Sequence, residues 1–231
     1  LYYKLAYAQD ELNFSKRSLK SMELALSILS SLKIPNYDYS IGAYNFLSQD
    51  AAYRGDLKKA QRFLRLSEKF YKDNKEVVDI ARKDEDGYND RYEVILPYKK
   101  LYLLYKRGKS SDDSLQMIKL INQLERLHAS PEFSVKYESV YYTTALNHMG
   151  DWYASRNPEE ITTAADMEKA HYYIDKSIDL ISDKGYVGNE FTFKYNKSKL
   201  LALSNELEEA DSVISDLLSR LSSNDGRRPF F

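Results

Sequence analysis

Apolar residues return at every third or fourth position along nearly the whole chain, and strict alternation of apolar with polar residues is almost absent. Met22, Leu24, Ala25, Leu26, Ile28, Leu29 and Leu32 form one broad stripe, and Leu57, Ala60, Phe63, Leu64, Ser67 and Phe70 form another. A period near 3.6 is that of an amphipathic helix, whereas a half-buried strand repeats every two residues. The pattern therefore predicts an all-α chain with essentially no sheet. Helix breakers divide it into about five antiparallel hairpins. The first covers residues 2–13 and 15–32 and ends at Pro35 and Asn36; the second covers 40–54 and 57–72. In the third, 75–83 reads as a short extra helix, 84–90 as a polar turn around Gly87, and 91–107 as a helix containing Pro97. That proline either kinks the helix or marks its start. Helix resumes over 113–128. The fourth hairpin pairs 131–155 with 167–182 across an insertion in which Asn157-Pro158-Glu159-Glu160 carries the signs of a helix start. The fifth pairs 190–204 with 207–222. Gly185 and Gly188 read as a helix-ending turn, and 224–231 as a frayed tail.

The two turns at 54–60 and 204–210 share one grammar. Arg54 to Ala60 reads RGDLKKA and Ser204 to Ala210 reads SNELEEA. Gly55 and Asn205 tolerate a left-handed backbone, Asp56 and Glu206 put an acid where the next helix begins, and Ala60 and Ala210 are small. A junction used more than once implies repeated hairpins. Hairpins that cannot bury an apolar face alone must stack on their neighbours into a solenoid with an exposed face. Gly is scarce and forms no linker, so residues 1–223 read as a single domain.

Composition narrows the chemistry. The 34 basic and 35 acidic residues leave a net charge of −1, which argues against nucleic acid as a partner, because counterion release needs a concentrated basic face. No cysteine is present, so disulfides and thiolate chemistry are excluded. Apolar runs fall far short of the roughly 20 residues that span a bilayer, so no direct membrane insertion is expected. The chain begins at Leu1 and reads as helix from Tyr2, which suggests a trimmed N-terminus.

Catalytic and metal constellations are missing. His128, His148 and His171 show no zinc-hydrolase spacing. The acidic run from Asp84 to Asp90 fails as a calcium loop: its glycine is misplaced and the twelfth position is Ile95, so it reads as a solvated turn. No nucleophile elbow or phosphate loop appears. No metal, no cofactor and no enzymatic activity are therefore expected. The 21 tyrosines read mainly as core with the hydroxyl reaching the edge. Clusters such as Tyr98, Tyr102, Tyr105 and Tyr137, Tyr141, Tyr142 offer more rings than one packing face holds, so some are expected to face a binding surface.

Aligned on their turns, the hairpins resemble the tetratricopeptide repeat (TPR), a unit of about 34 residues with W-x2-L-G-x2-Y in its first helix and A-x3-F in its second. Leu146-x2-Met149-Gly150-x2-Tyr153 with Ala170-x3-Ile174 matches best. Tyr44-x2-Leu47-Ser48 with Ala60-x3-Leu64 follows, then Ser198 with Ala210-x3-Ile214. From Ala60 to Ala210 the step averages about 50 residues, longer than the family's unit, which implies longer helices or insertions. In style and composition the chain also resembles the repeat-containing sensor regions of Bacteroidetes signalling proteins.

The resemblance implies a right-handed superhelical array, a TPR-like α-solenoid whose first helices line the concave face. Residues beside the packing positions there become the candidate ligand-binding set: Asn45, Gln49 and Tyr53, then Asn147 and Asp151, then Tyr195 and Lys199. Asn and Gln bond peptide backbone in either sense, and Lys199 suits a carboxylate. The expected function is a non-catalytic scaffold for a protein or peptide partner, the sensory or assembly part of a larger signalling protein whose further domains flank this segment. An extracytoplasmic, periplasmic setting is favoured over a cytoplasmic one. The alternative is a carbohydrate or small-molecule binding module on the same scaffold.

Overall fold

A computed structural model describes residues 1–12, 15–33, 36–83, 91–108, 111–130, 136–155, 163–182 and 187–223. Among them are ten α-helices and no strand. The chain divides into two compact units, Leu1–Arg107 and Gly108–Phe231.

In the first unit, α1 (Tyr2–Glu11) packs on α2 (Ser15–Ser31), α2 on α3 (Tyr37–Tyr53), α3 on α4 (Leu57–Lys83), and α5 (Tyr92–Arg107) on both α4 and α3. Ala6, Met22, Ala43 and Leu47 make one core; Ala51, Ala52, Ala60 and Tyr102 make the next. Asn36 does not close the first hairpin. Its side chain accepts from Tyr39 N at 3.0 Å and so caps α3, satisfying one of the orphan donors of a helix start. The expected extra helix over 75–83 is the continuation of α4 beyond a break at Asn74 (φ −133°, ψ 21°), whose side chain donates to Phe70 O at 2.9 Å. Helix α5 starts five residues before Pro97 and runs through it, so the proline does not mark the start.

In the second unit, α6 (Ser111–His128) packs on α7 (Lys136–Ala154), α7 on α8 (Ala164–Ile181), α8 on α9 (Val187–Leu203), and α9 on α10 (Leu207–Ser223), with α7 also against α9. Thr163 caps α8 by accepting from Asp166 N at 3.1 Å. Gly188 lies in the first turn of α9, which corrects its reading as part of a helix-ending turn. Gly185, the 84–90 turn, the Asn157 to Glu160 segment and the 224–231 tail lie outside the described residues.

The repeated junction is real in atomic detail. After α3, Gly55 N donates to Ala52 O at 3.1 Å and Asp56 N to Ala51 O at 2.9 Å; after α9, Asn205 N donates to Ala202 O at 3.2 Å and Glu206 N to Leu201 O at 2.9 Å. Each pair is a Schellman closure, which requires a left-handed residue. Gly55 has φ 79° and Asn205 has φ 63°. Asp56 then caps α4 by accepting from Lys59 N at 3.0 Å.

The small positions lie where backbones approach. Ser48 Oγ donates to Ala60 O at 2.9 Å. A Cβ on Gly150 would stand 2.5 Å from Ile174 Cγ1 and 3.0 Å from Ala170 O. Ala60 and Ala170 have no exposed surface. This is the close helix contact that the spacing of small residues predicts.

Candidate functional site

In each unit two alternate helices lie side by side, α3 with α5 in the first and α7 with α9 in the second, and six of the seven candidate residues fall at or beside the resulting seams. Along α3, Asn45, Gln49 and Tyr53 recur at four-residue spacing and so share one stripe. Lys99 Nζ on α5 donates to Gln49 Oε1. The Tyr53 ring, 72% exposed, has its centroid 6.1 Å from that of Tyr102. Tyr102 continues to Tyr98 at 6.5 Å and Tyr105 at 6.4 Å, and the Lys106 ammonium lies 5.5 Å from the centroids of both Tyr102 and Tyr105. Burial pushes the Tyr98 and Tyr102 hydroxyls well above the ordinary phenol range, and for both of them the neighbouring Tyr53 adds to it. Both stay protonated at neutral pH.

Asn45 is interior, 6% exposed, and its Oδ1 is enclosed without a hydrogen-bond partner. An unpaired buried amide oxygen is costly. The second unit shows what it lacks. There Asn147, also interior at 2%, accepts from Asn196 Nδ2 at 2.7 Å and reaches Ser177 Oγ at 3.5 Å. One turn on, Lys199 Nζ pairs with Asp151 at 3.3 Å. Asn45 and Gln49 precede Asn147 and Asp151 by the same interval, and Lys99 precedes Lys199 by the interval that separates Leu96 from Asn196. In that register Leu96, itself buried, takes the place of the asparagine that satisfies Asn147. Tyr195, the seventh candidate, is 48% exposed on α9.

Two further polar clusters surround α8. Lys197 donates to His171 Nδ1 at 3.2 Å, His171 Nε2 lies 3.1 Å from Ser204 Oγ, and Lys197 also pairs with Asp175 at 2.8 Å. An ammonium can only donate, so Nδ1 accepts and the ring proton sits on Nε2, facing the serine. A general base for serine needs the opposite tautomer. On the other side, Lys176 pairs with Glu125 at 2.6 Å and lies 5.9 Å from the Tyr142 centroid. The Lys176 contact holds the Glu125 carboxyl below its usual range, and burial pushes the Tyr142 hydroxyl up to about 12.

Lys99 and Asn196 belong to these seams and Ser177 backs Asn147 from α8; all three escaped the sequence reading. The recurring step of about 50 residues from Gln49 to Lys99 and from Asn147 to Asn196 was the available signal. Among the described residues no group of three or more His, Cys, Asp or Glu is placed to hold a metal, and no described helix is long and apolar enough to cross a membrane.

The near-neutral charge conceals an asymmetry. Residues 1–107 carry 20 Lys and Arg against 15 Asp and Glu, and residues 108–231 carry 14 against 20, so net charges of +5 and −6 make up the −1 of the whole. The inference that no concentrated basic face exists fails at α4, where Lys58, Arg62, Arg65, Lys69 and Lys72 are all exposed. No family model, curated protein or solved structure matches the chain.

Proposed function

We propose that the chain is a TPR-like α-solenoid, a right-handed superhelical array whose first-helix face receives a protein or peptide partner. The observation that carries this reading is the recurrence of one seam: Gln49 with Lys99 and Asp151 with Lys199, at matched positions in two units. Hairpins that stack in register consume their other faces and leave that one open along the array. Tyr53, Tyr195 and Lys199 are its exposed members, whereas Asn45 and Asn147 are interior and Asn147 joins α7 to α8 and α9. The tautomer of His171 argues for a structural dyad with Ser204 and supports a non-catalytic role.

The test is a pooled peptide and glycan array, followed by Tyr53→Ala, Tyr195→Ala and Lys199→Ala in one protein. Loss of at least tenfold in affinity, about 1.4 kcal/mol, with an unchanged circular dichroism spectrum is expected. Undiminished binding by the folded variant refutes the face. A second reading, a carbohydrate or small-molecule module, is favoured by the run of Tyr53, Tyr102, Tyr98 and Tyr105. Hits confined to the glycan arm would select it.

A further inference from the structure

We infer that the exposed face of α4 is a docking surface for a second copy of this chain, which presents its acidic unit to it. Lys58, Arg62, Arg65, Lys69 and Lys72 follow one another at steps of three and four, so they line one face of the helix over about 21 Å. All five are exposed, and none makes an ion pair with a described residue. Two other exposed lysines of this unit are neutralised, Lys75 by Asp79 and Glu93 and Lys100 by Glu68. The stripe has been left uncompensated beside them.

Its placement also breaks a local rule. Lys58 and Lys59 occupy the first turn of α4, which contains no acid, and cations there oppose the helix dipole at a cost of about 0.3–1 kcal/mol each. At the matching place in α10, after the same Schellman closure, stand Glu208 and Glu209, with Asp211 following. These three acids are exposed and make no ion pair with a described residue either. They are flanked by Leu203, Leu207 and Leu218, about 60% exposed each. One repeat position thus bears opposite charge in the two units, and it does so on a chain whose halves carry +5 and −6.

Nucleic acid and anionic membranes also suit a basic helix, but the −6 of the second unit opposes both. A second copy supplies the complement from the same sequence. The contact is head to tail, so each joined pair keeps one free basic and one free acidic patch. This inference does not depend on the first-helix face or on its ligand.

Sedimentation velocity of the whole chain tests it. Concentration-dependent association is expected in about 25 mM salt and its loss in about 500 mM, where charges are screened within a few ångströms. The variant Arg62→Glu, Arg65→Glu, Lys69→Glu and the variant Glu208→Lys, Glu209→Lys, Asp211→Lys should each be monomeric alone, because every self-contact then opposes like charges. Mixed together they should associate again, since each restores the other's complement. Circular dichroism checks that both variants keep the native helix content. A monomer at low salt overturns the inference, as does association that survives in either variant or a mixture that stays monomeric. Binding of α4 to duplex DNA or to anionic vesicles without self-association overturns it in favour of another polyanion.

Discussion

Replacing Asn196 by leucine should expose the energetics of the seam in the second unit. Asn147 is 2% exposed and its Oδ1 receives Asn196 Nδ2 at 2.7 Å, while its own Nδ2 has only a 3.5 Å contact with Ser177. Removing the donor leaves a buried amide oxygen unpaired, which costs about 1–3 kcal/mol. Asn196 is itself half-buried, so the new leucine recovers only part of that through apolar burial. We expect a net loss of about 1–2 kcal/mol. Changing Asn147 to leucine as well removes the stranded amide together with its partner, so the double variant should lie within about 0.5 kcal/mol of the parent, and the coupling should be strongly non-additive. The first unit provides the control. Asn45 already lacks a partner for Oδ1, so Asn45→Leu should be neutral or stabilising by up to about 1 kcal/mol. Trp152 is the only tryptophan, lies in α7 and is 1% exposed, so its fluorescence during urea unfolding reports the second unit, with circular dichroism following both. If Asn196→Leu shifts the fluorescence midpoint by less than about 0.5 kcal/mol, or if the double variant is as unstable as the sum of the singles, the account of the seam is wrong.

Three further outcomes follow from the packing, the turns and the charges. Gly150→Ala should destabilise by about 1–3 kcal/mol although alanine favours helix by roughly 1 kcal/mol, because its Cβ meets Ile174 at 2.5 Å and the Ala170 carbonyl at 3.0 Å; a gain in melting temperature would sink the close-contact reading. Asn205→Gly should stabilise modestly and Asn205→Val should cost about 1–2 kcal/mol, since φ is 63° there, and equal melting temperatures for the two would contradict the turn geometry. Glu125 has a folded-state carboxyl held below its usual value by Lys176, so its contribution is present above the ordinary carboxylate range and lost as pH falls through the lowered value; because the pair is partly exposed the effect is only about 0.2–1 kcal/mol, and Lys176→Met should flatten that acid limb of the stability profile.

The helices were legible because their apolar spacing is strong and their turns carry chemically specific residues. Gly55 and Asn205 announce a left-handed backbone, and Ala60, Ala170 and Gly150 announce close approach, in each case because few other side chains fit. The seam was half legible. Within each unit register grouped Gln49 with Tyr53 and Asp151 with Lys199, but it could not tell that Asn45 and Asn147 turn inward, because an asparagine on a helix carries no mark of burial. Only its surroundings in the fold decide, and for Asn147 these are Ser177 on α8 and Asn196 on α9, 30 and 49 residues away. The break after Arg107 had no compositional shift to mark it beyond a single glycine. The basic face was hidden by averaging, since a net charge sums over both units while a partner meets one helix at a time.

The Schellman closure between α3 and α4 has a consequence for what this chain tolerates in evolution and engineering. Both amides that follow α3 are bonded back to it, and Asp56 immediately caps the next helix, so the junction has no slack. One residue inserted after Gly55 would rotate the start of α4 by about 100° about its own axis. Ala60 would leave Ser48, a bulkier neighbour would face the contact, and cationic side chains would turn toward the interior. The turn therefore acts as a phase lock on the helix that follows, so length variation near this junction has to be accommodated elsewhere, in connections that do not set the rotation of α4.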